Sequence, residues 1–400
     1  MTAPTAPRPF EGIKVIDVTH VLAGPFAAYQ LAVHGADVIK VENPREPDMA
    51  RTSGSDPEDN VRLMGSSFLT QSSNKRAITL DLKRPEGQAV LKRLAATADV
   101  LIENFRPGAL AALGLGYADL AATNPRLIYA SFSAFGQEGP RGNYTAYDHV
   151  IQATSGIMAT TGEAGGAPIK FGSPVIDYAT GTTGAFALAS ALFQRERTGK
   201  GQHIDMAMMD VALIMMASHI TDFTRTGRHP EPHGPWQGFA TGSCWPTAEG
   251  LLMLGAMNIA QQRRFWAALG REEMSKGSHP ERRADEAREK KVVAEILLTR
   301  PAAEWEEFFQ TRHVPAGRVR RMEETLADPH LQHRAVVHRH IAVSGVGGDF
   351  LVPVAAFKLA HGTARIDTPP PTLGQDTDAV LTEVGYSGTE IAELRSSGVL

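Results

Sequence analysis

The chain has 400 residues, 42% of them hydrophobic and 21% charged, with a formal net charge of −4 at pH 7. That length and apolar fraction support folded cores in two or three domain-sized units, and the near-neutral balance offers no electrostatic attraction to nucleic acid or an anionic membrane. The single cysteine, Cys244, excludes an internal disulfide framework and supplies no metal-ligand spacing, so no metal site is predicted and a packed, reduced thiol is the simple reading.

The opening residues, MTAPTAPRPF, lack the charged and apolar blocks of an export signal, and no apolar run reaches the length of a membrane span, so the expected location is the cytoplasm. Residues 13–18 read as an apolar strand, 19–24 as a turn, and a helix follows from Pro25, with Gly35 as its C-terminal cap, before a second strand over 37–42. A further helix opens at Pro85, and strands are predicted over 99–103 and 127–132 with a short helix near Ala118 between them. Alternating strands and helices imply an α/β fold with a parallel, doubly wound, Rossmann-like sheet. Beyond Asp177 a small-residue helix runs to Gly199, followed by the strand HIDMAM and a Met-rich helix to about Thr224, whose methionines read as core filler. Gly, Pro and His cluster over 224–243 as in linkers. The predicted organisation is a large domain over 1–225, to which 340–400 return, and a smaller α+β domain with linkers over 226–339.

An acid, Glu42, closes the second strand as in dinucleotide-binding units, but the preceding turn holds one glycine, Gly24, where a pyrophosphate site needs three. A dehydrogenase is therefore set aside. His20 follows the first strand and Asn104, Phe105 and Arg106 follow the strand over 99–103, so both groups stand at carboxyl ends, where open α/β sheets bind ligands. Each has a plain alternative, turn formation at Thr19-His20 and a turn dictated by Pro107-Gly108. Asn74, Lys75 and Arg76 place two cations ahead of a strand, as solvated surface or as phosphate ligands. Asp177 suits a helix N-cap, or else a nucleophile kept ionised and exposed by a helix N-terminus, with Gly172, Gly181 and Gly184 permitting close substrate approach. Tyr147, Asp148 and His149 adjoin one another, and since neighbours point apart, two of the three are expected to be structural.

In order and spacing, the stretches GIKVIDVTHVLAGP, GADVIKVENP, SSNKRAITLDL, DVLIENFRPG, NPRLIYASFSAFG, YDHVIQATSG, SPVIDYATG, RTGKGQHIDMAMMD, VPAGRV and PPPTLGQDTD resemble the class III coenzyme A transferases, the CaiB/BaiF family, nearly end to end. The resemblance implies a Rossmann-like large domain, a smaller domain and an interlocked homodimer. It implies that Asp177 attacks an acyl-CoA to form a mixed anhydride and then an aspartyl-CoA thioester, with acyl-CoA and a carboxylic acid as substrates and no tightly bound cofactor. By the same matching His20, Val21, Ala23, Lys75, Asn104 and Phe105 contact CoA, and Tyr147 and Asp148 lie near the reacting centre. Formyl-CoA transferase carries glutamine where this chain has Leu22 and arginine where it has Asn43 and Ala112, and its glycine-rich loop has no counterpart around SCWPTAEG, which speaks against formate or oxalate. A racemase branch of the family has histidine at the position of Tyr147, and a tyrosine with a pKa near 10 is a poor base, so racemisation of a 2-methylacyl-CoA is the alternative reading. Succinyl-CoA as donor and a short dicarboxylate as acceptor are expected, with Arg51, Arg62 and Arg141 as candidate distal-carboxylate ligands or simple surface cations.

Overall fold

The computed structural model describes residues 6–236 and 238–400. The chain forms two compact units, one from residues 1–157, 171–226 and 332–400, the other from 158–170 and 227–331.

The first unit is built on β1 (Lys14–Asp17), α1 (Ala23–Val33), β2 (Asp37–Glu42), β3 (Lys75–Thr79), α2 (Pro85–Ala95), β4 (Val100–Glu103), β5 (Ile128–Ser133), α3 (Asp148–Ser155), α4 (Val175–Thr198), β6 (Gln202–Ala207), α5 (Met208–Met215) and α6 (Ala217–Thr226). The six strands pair in parallel in the order β3-β2-β1-β4-β5-β6. The order reverses between β1 and β4, so the turns after these two strands diverge and leave a crevice at their carboxyl ends. Both faces of the sheet are covered, so the inner strands β1, β2, β4 and β5 are buried nearly end to end, while the edge strand β6 alternates. Val15, Val38 and Val100 face α1 and α4, where Ala27, Leu31, Leu188 and Leu192 pack. Ile16, Ile39 and Leu101 face the other way, onto Val90 and Leu94 of α2 and onto Val380, Leu381 and Ile391 of the C-terminal helices.

Helix punctuation follows local chemistry. Pro85 stands at the first turn of α2, and Gly199 closes α4 in the left-handed conformation at φ 72°. Two expectations change. Lys75 and Arg76 lie within β3 rather than ahead of it, because pairing with β2 already begins at Lys75 opposite Val38. The Met-rich region is two helices, α5 and α6, and it is only partly core: Met208 and Met216 are buried, while Ile214 on α5 is 77% exposed and Phe186 on α4 is 74% exposed.

The second unit has its own core. Strands β7 (Cys244–Pro246), β8 (Leu251–Leu254) and β9 (Ala316–Arg318) form an antiparallel sheet, against which Phe265, Trp266, Trp305 and Phe309 pack.

Candidate active site

One wall of the crevice is the turn from β1 into α1. Val21, at φ 72°, occupies the left-handed region that a β-branched residue adopts only under constraint. Asn104, from the turn after β4, grips its neighbour His20 twice: Oδ1 accepts the His20 N–H at 2.9 Å and Nδ2 donates to the His20 carbonyl at 2.8 Å. Asp48 accepts the Val21 N–H at 2.9 Å, Gln71 donates to the Val21 carbonyl, and Lys40 Nζ donates to the Thr19 carbonyl at 2.8 Å.

Beneath this turn lie buried ion pairs, Lys75 with Asp17 at 2.8 Å and Lys40 with Asp48 at 3.0 Å. Burial acts to raise the Asp17 carboxyl, but Lys75 and Lys40 outweigh it and hold the pKa at about 2. Lys75 shifts downward, because burial outweighs its attraction to Asp17. His20 is also pushed down, first by burial and then by Lys40, so its ring is neutral at pH 7. Glu42 is buried with its carboxylate held by the Arg51 guanidinium at 2.7 Å.

The opposite wall carries Asp177 in the first turn of α4. It does not cap its own helix. The cap is Asp148, reaching from the start of α3: its carboxylate accepts the N–H groups of Ile176 at 2.7 Å and Asp177 at 3.2 Å, while its other oxygen accepts from Gln152. Gln152 in turn accepts the Phe171 N–H at 2.8 Å, tying down the chain that leads into α4. Burial, and secondarily the Asp148 charge, push the Asp177 carboxyl up to about 7. The sequence-based expectation that a helix N-terminus keeps this group exposed and fully ionised is therefore corrected: desolvation and a like charge dominate.

The two walls enclose a cleft of about 610 Å³ onto which His20, Val21, Ala23, Asn104, Tyr147 and Asp177 all open, with Leu22, Arg106, Phe132, Val150 and Met208 among the rest of its lining. Phe105 faces an adjoining apolar hollow of about 360 Å³, which shares His20 with the cleft and is walled by Val18, Val41, Leu80 and Leu110. The His20 and Phe105 rings meet edge to face at 5.6 Å. Asp148 and Lys75 are not on the lining: Asp148 lies behind Asp177, and Lys75 is neither surface cation nor wall residue but a buried strut under the turn. Gly181 and Gly184 serve helix packing rather than substrate approach. A Cβ on Gly181 would stand 2.8 Å from the Ala23 carbonyl, and one on Gly184 would strike Phe132. Arg51 is buried and Arg62 pairs with Glu58 at 3.0 Å, so neither is available to a substrate carboxylate.

Lys40, Asp48 and Gln71 were not foreseen as site residues. Lys40 did carry a signal, since a lysine inside the otherwise buried run VIKVE requires a buried partner. Asp48 and Gln71 lie in irregular chain and carried none.

A doubly wound domain with a half-buried aspartate facing a cleft at its switch point accords with CoA transfer, and the comparison with known proteins is decisive. The model for CoA-transferase family III matches residues 10–377, and the chain belongs to this family. It is 36% identical over 391 residues to a succinate–glutarate CoA-transferase of Agrobacterium fabrum, covering 95% of this chain and 97% of that one. It is 34% identical over 407 residues to a succinyl-CoA:glutarate CoA-transferase of Homo sapiens, covering 98% and 90%. A crystal structure of a CaiB/BaiF family protein from Brucella suis matches with a TM-score of 0.82 at 32% identity, over 94% of this chain and 99% of that one. The chain is thus a CoA-transferase. The racemase alternative is not favoured, and His149, its nearest substitute base, is exposed on α3 away from the cleft lining.

Proposed function

We propose that this enzyme moves CoA from succinyl-CoA to a short dicarboxylic acid of about glutarate length, through covalent intermediates on Asp177. The observation that carries the mechanism is the position of the Asp177 carboxyl, on the wall of a cleft at the switch point and backed by Asp148. The donor and acceptor are supported by the relatives named above, which act on succinate or succinyl-CoA and on glutarate.

An Asp177 oxygen attacks the thioester carbonyl, and CoA leaves as thiolate, giving a mixed anhydride. The thiolate then attacks the aspartyl carbonyl and expels succinate, leaving an aspartyl-CoA thioester. The acceptor carboxylate reverses the two steps, taking the CoA and regenerating the Asp177 carboxylate. No proton is gained or lost, and the thioester's energy is retained throughout. In this reading His20, Val21, Ala23 and Asn104 line the path of the CoA arm, Phe105 and the adjoining apolar hollow receive the adenine, and Arg106 neutralises phosphate. Tyr147 borders the acyl group, and Asp148 and Lys75 act from behind the lining.

The enzyme is further proposed to work in the cytoplasm as a homodimer without a tightly bound cofactor. The free thiol of Cys244 accords with a reducing compartment, and the exposed Phe186, Phe193 and Ile214 on α4 and α5 form a face suited to a second subunit.

The test is intact-protein mass spectrometry after succinyl-CoA and hydroxylamine, which traps activated carboxylates as hydroxamates. Label at Asp177, absent from Asp177→Asn, is the expected result. A chain that stays unlabelled with several acyl-CoA donors would refute the covalent mechanism, and CoA transfer to monocarboxylates alone would refute the acceptor class.

A further inference from the structure

At the start of α1 the backbone has been stripped of its internal partners. In a helix that continued backward, the carbonyls of Thr19 and His20 would take the N–H groups of Ala23 and Gly24. Both carbonyls are occupied instead by side chains, Lys40 on Thr19 and Asn104 on His20, each at 2.8 Å. The Val21 carbonyl is taken by Gln71, and Pro25, four residues on, has no N–H to offer. Among the described residues no acceptor meets the amides of Leu22, Ala23 or Gly24. Leu22 and Ala23 line the same cleft as Asp177.

The turn is held in this arrangement against its own preference. Val21 sits at φ 72°, and what fixes it comes from below: Asp48 on its N–H, Gln71 on its carbonyl, and the Lys40 ion pair that anchors Asp48. Gln71 is buried and its own Oε1 has no hydrogen-bond partner, so the bond to Val21 is the one its side chain makes there. Leaving the amide oxygen buried without a partner costs free energy, which the turn bears in order to keep the amide N–H on Val21.

We propose that Asp48 and Gln71 are positioning residues that lock Val21 in the left-handed conformation, and that the locked turn presents the opening amides of α1 to the oxyanion formed when Asp177 attacks the acyl-CoA carbonyl. In that step an Asp177 oxygen bonds to the carbonyl carbon and the π pair moves onto the carbonyl oxygen. Its collapse expels the CoA thiolate. Amides fixed in advance at a helix N-terminus stabilise such charge without reorganising. The proposal rests on the transferase reading of the site.

It is tested with Gln71→Leu and Asp48→Asn, following the rate of hydroxylamine-trapped label at Asp177 under saturating succinyl-CoA, the KM for succinyl-CoA, and Tm. The expected result is a fall of about tenfold to a hundredfold in rate with KM little changed. Adding Val21→Gly to Gln71→Leu is expected to restore most of the lost rate, since glycine holds a positive φ without a clamp. Variants that label at the parental rate while only Tm falls, or a loss that Val21→Gly does not relieve, would overturn the proposal. An unlabelled parental enzyme would defeat the transferase reading first, which keeps the two failures apart.

Discussion

The two walls of the cleft are secured in opposite ways. The turn from β1 into α1 is held by side chains from four other segments, Lys40, Asp48, Gln71 and Asn104, over a layer of buried ion pairs. The Asp177 wall is capped by one carboxylate, Asp148, steadied by one amide, Gln152. In the proposed mechanism the heavily braced wall is the one that carries no reacting atom. The lightly braced one carries Asp177, which in the proposed mechanism is carboxylate, anhydride and thioester in turn and changes size and charge at each step. Side-chain bracing is concentrated on the turn, and the proposed nucleophile is left a simple support.

The contrast can be broken most directly at Asp177, the proposed nucleophile. Asp177→Asn removes the attacking oxygen without altering shape, and turnover is expected to fall by about 10⁴-fold or more in steady-state assays. The variant is also expected to be more stable than the parent at pH 8: a carboxyl raised to about 7 by burial destabilises the fold when ionised, and that cost disappears as pH falls below its ordinary range. A lower Tm for Asp177→Asn at pH 8 would contradict this.

The pH profile is the next lever. Because the reactive form is the carboxylate and its pKa lies at about 7, kcat/KM for acyl-CoA is expected to lose about tenfold per pH unit on the acid side of that value. A flat profile down to pH 5 would show that Asp177 ionises normally in the free enzyme.

Asp148→Asn probes the single support. The amide oxygen still accepts from Ile176 and Asp177, but the like charge is gone, so the acid limb is expected to move to lower pH while kcat at pH 8 falls severalfold. An unmoved limb would leave burial as the whole cause of the Asp177 shift. The smallest effect is expected from Gly184→Ala, which sets a methyl against Phe132 where α4 meets the sheet. Overpacking of this kind costs about 1–3 kcal/mol, seen as a lower Tm with kcat reduced only modestly.

What the amino-acid sequence determined by itself is local and periodic. Apolar strands alternating with helices, Pro85 and Gly199 at helix ends, and the order of motifs along the chain were enough for the doubly wound fold and the family, because each depends on neighbours close in the chain. What only the tertiary structure decided is which polar groups are buried and against what. Lys75 read as a surface cation or a CoA contact and is a buried strut for Asp17. Asp148 read as a residue beside the substrate and is the cap of a helix that begins 27 positions later. Asp48 and Gln71 carried no local signal, because the groups they satisfy lie on Val21, 27 and 50 residues away. Buried backbone polar groups require partners, and the fold, not the local pattern, determines which distant side chain arrives to supply them.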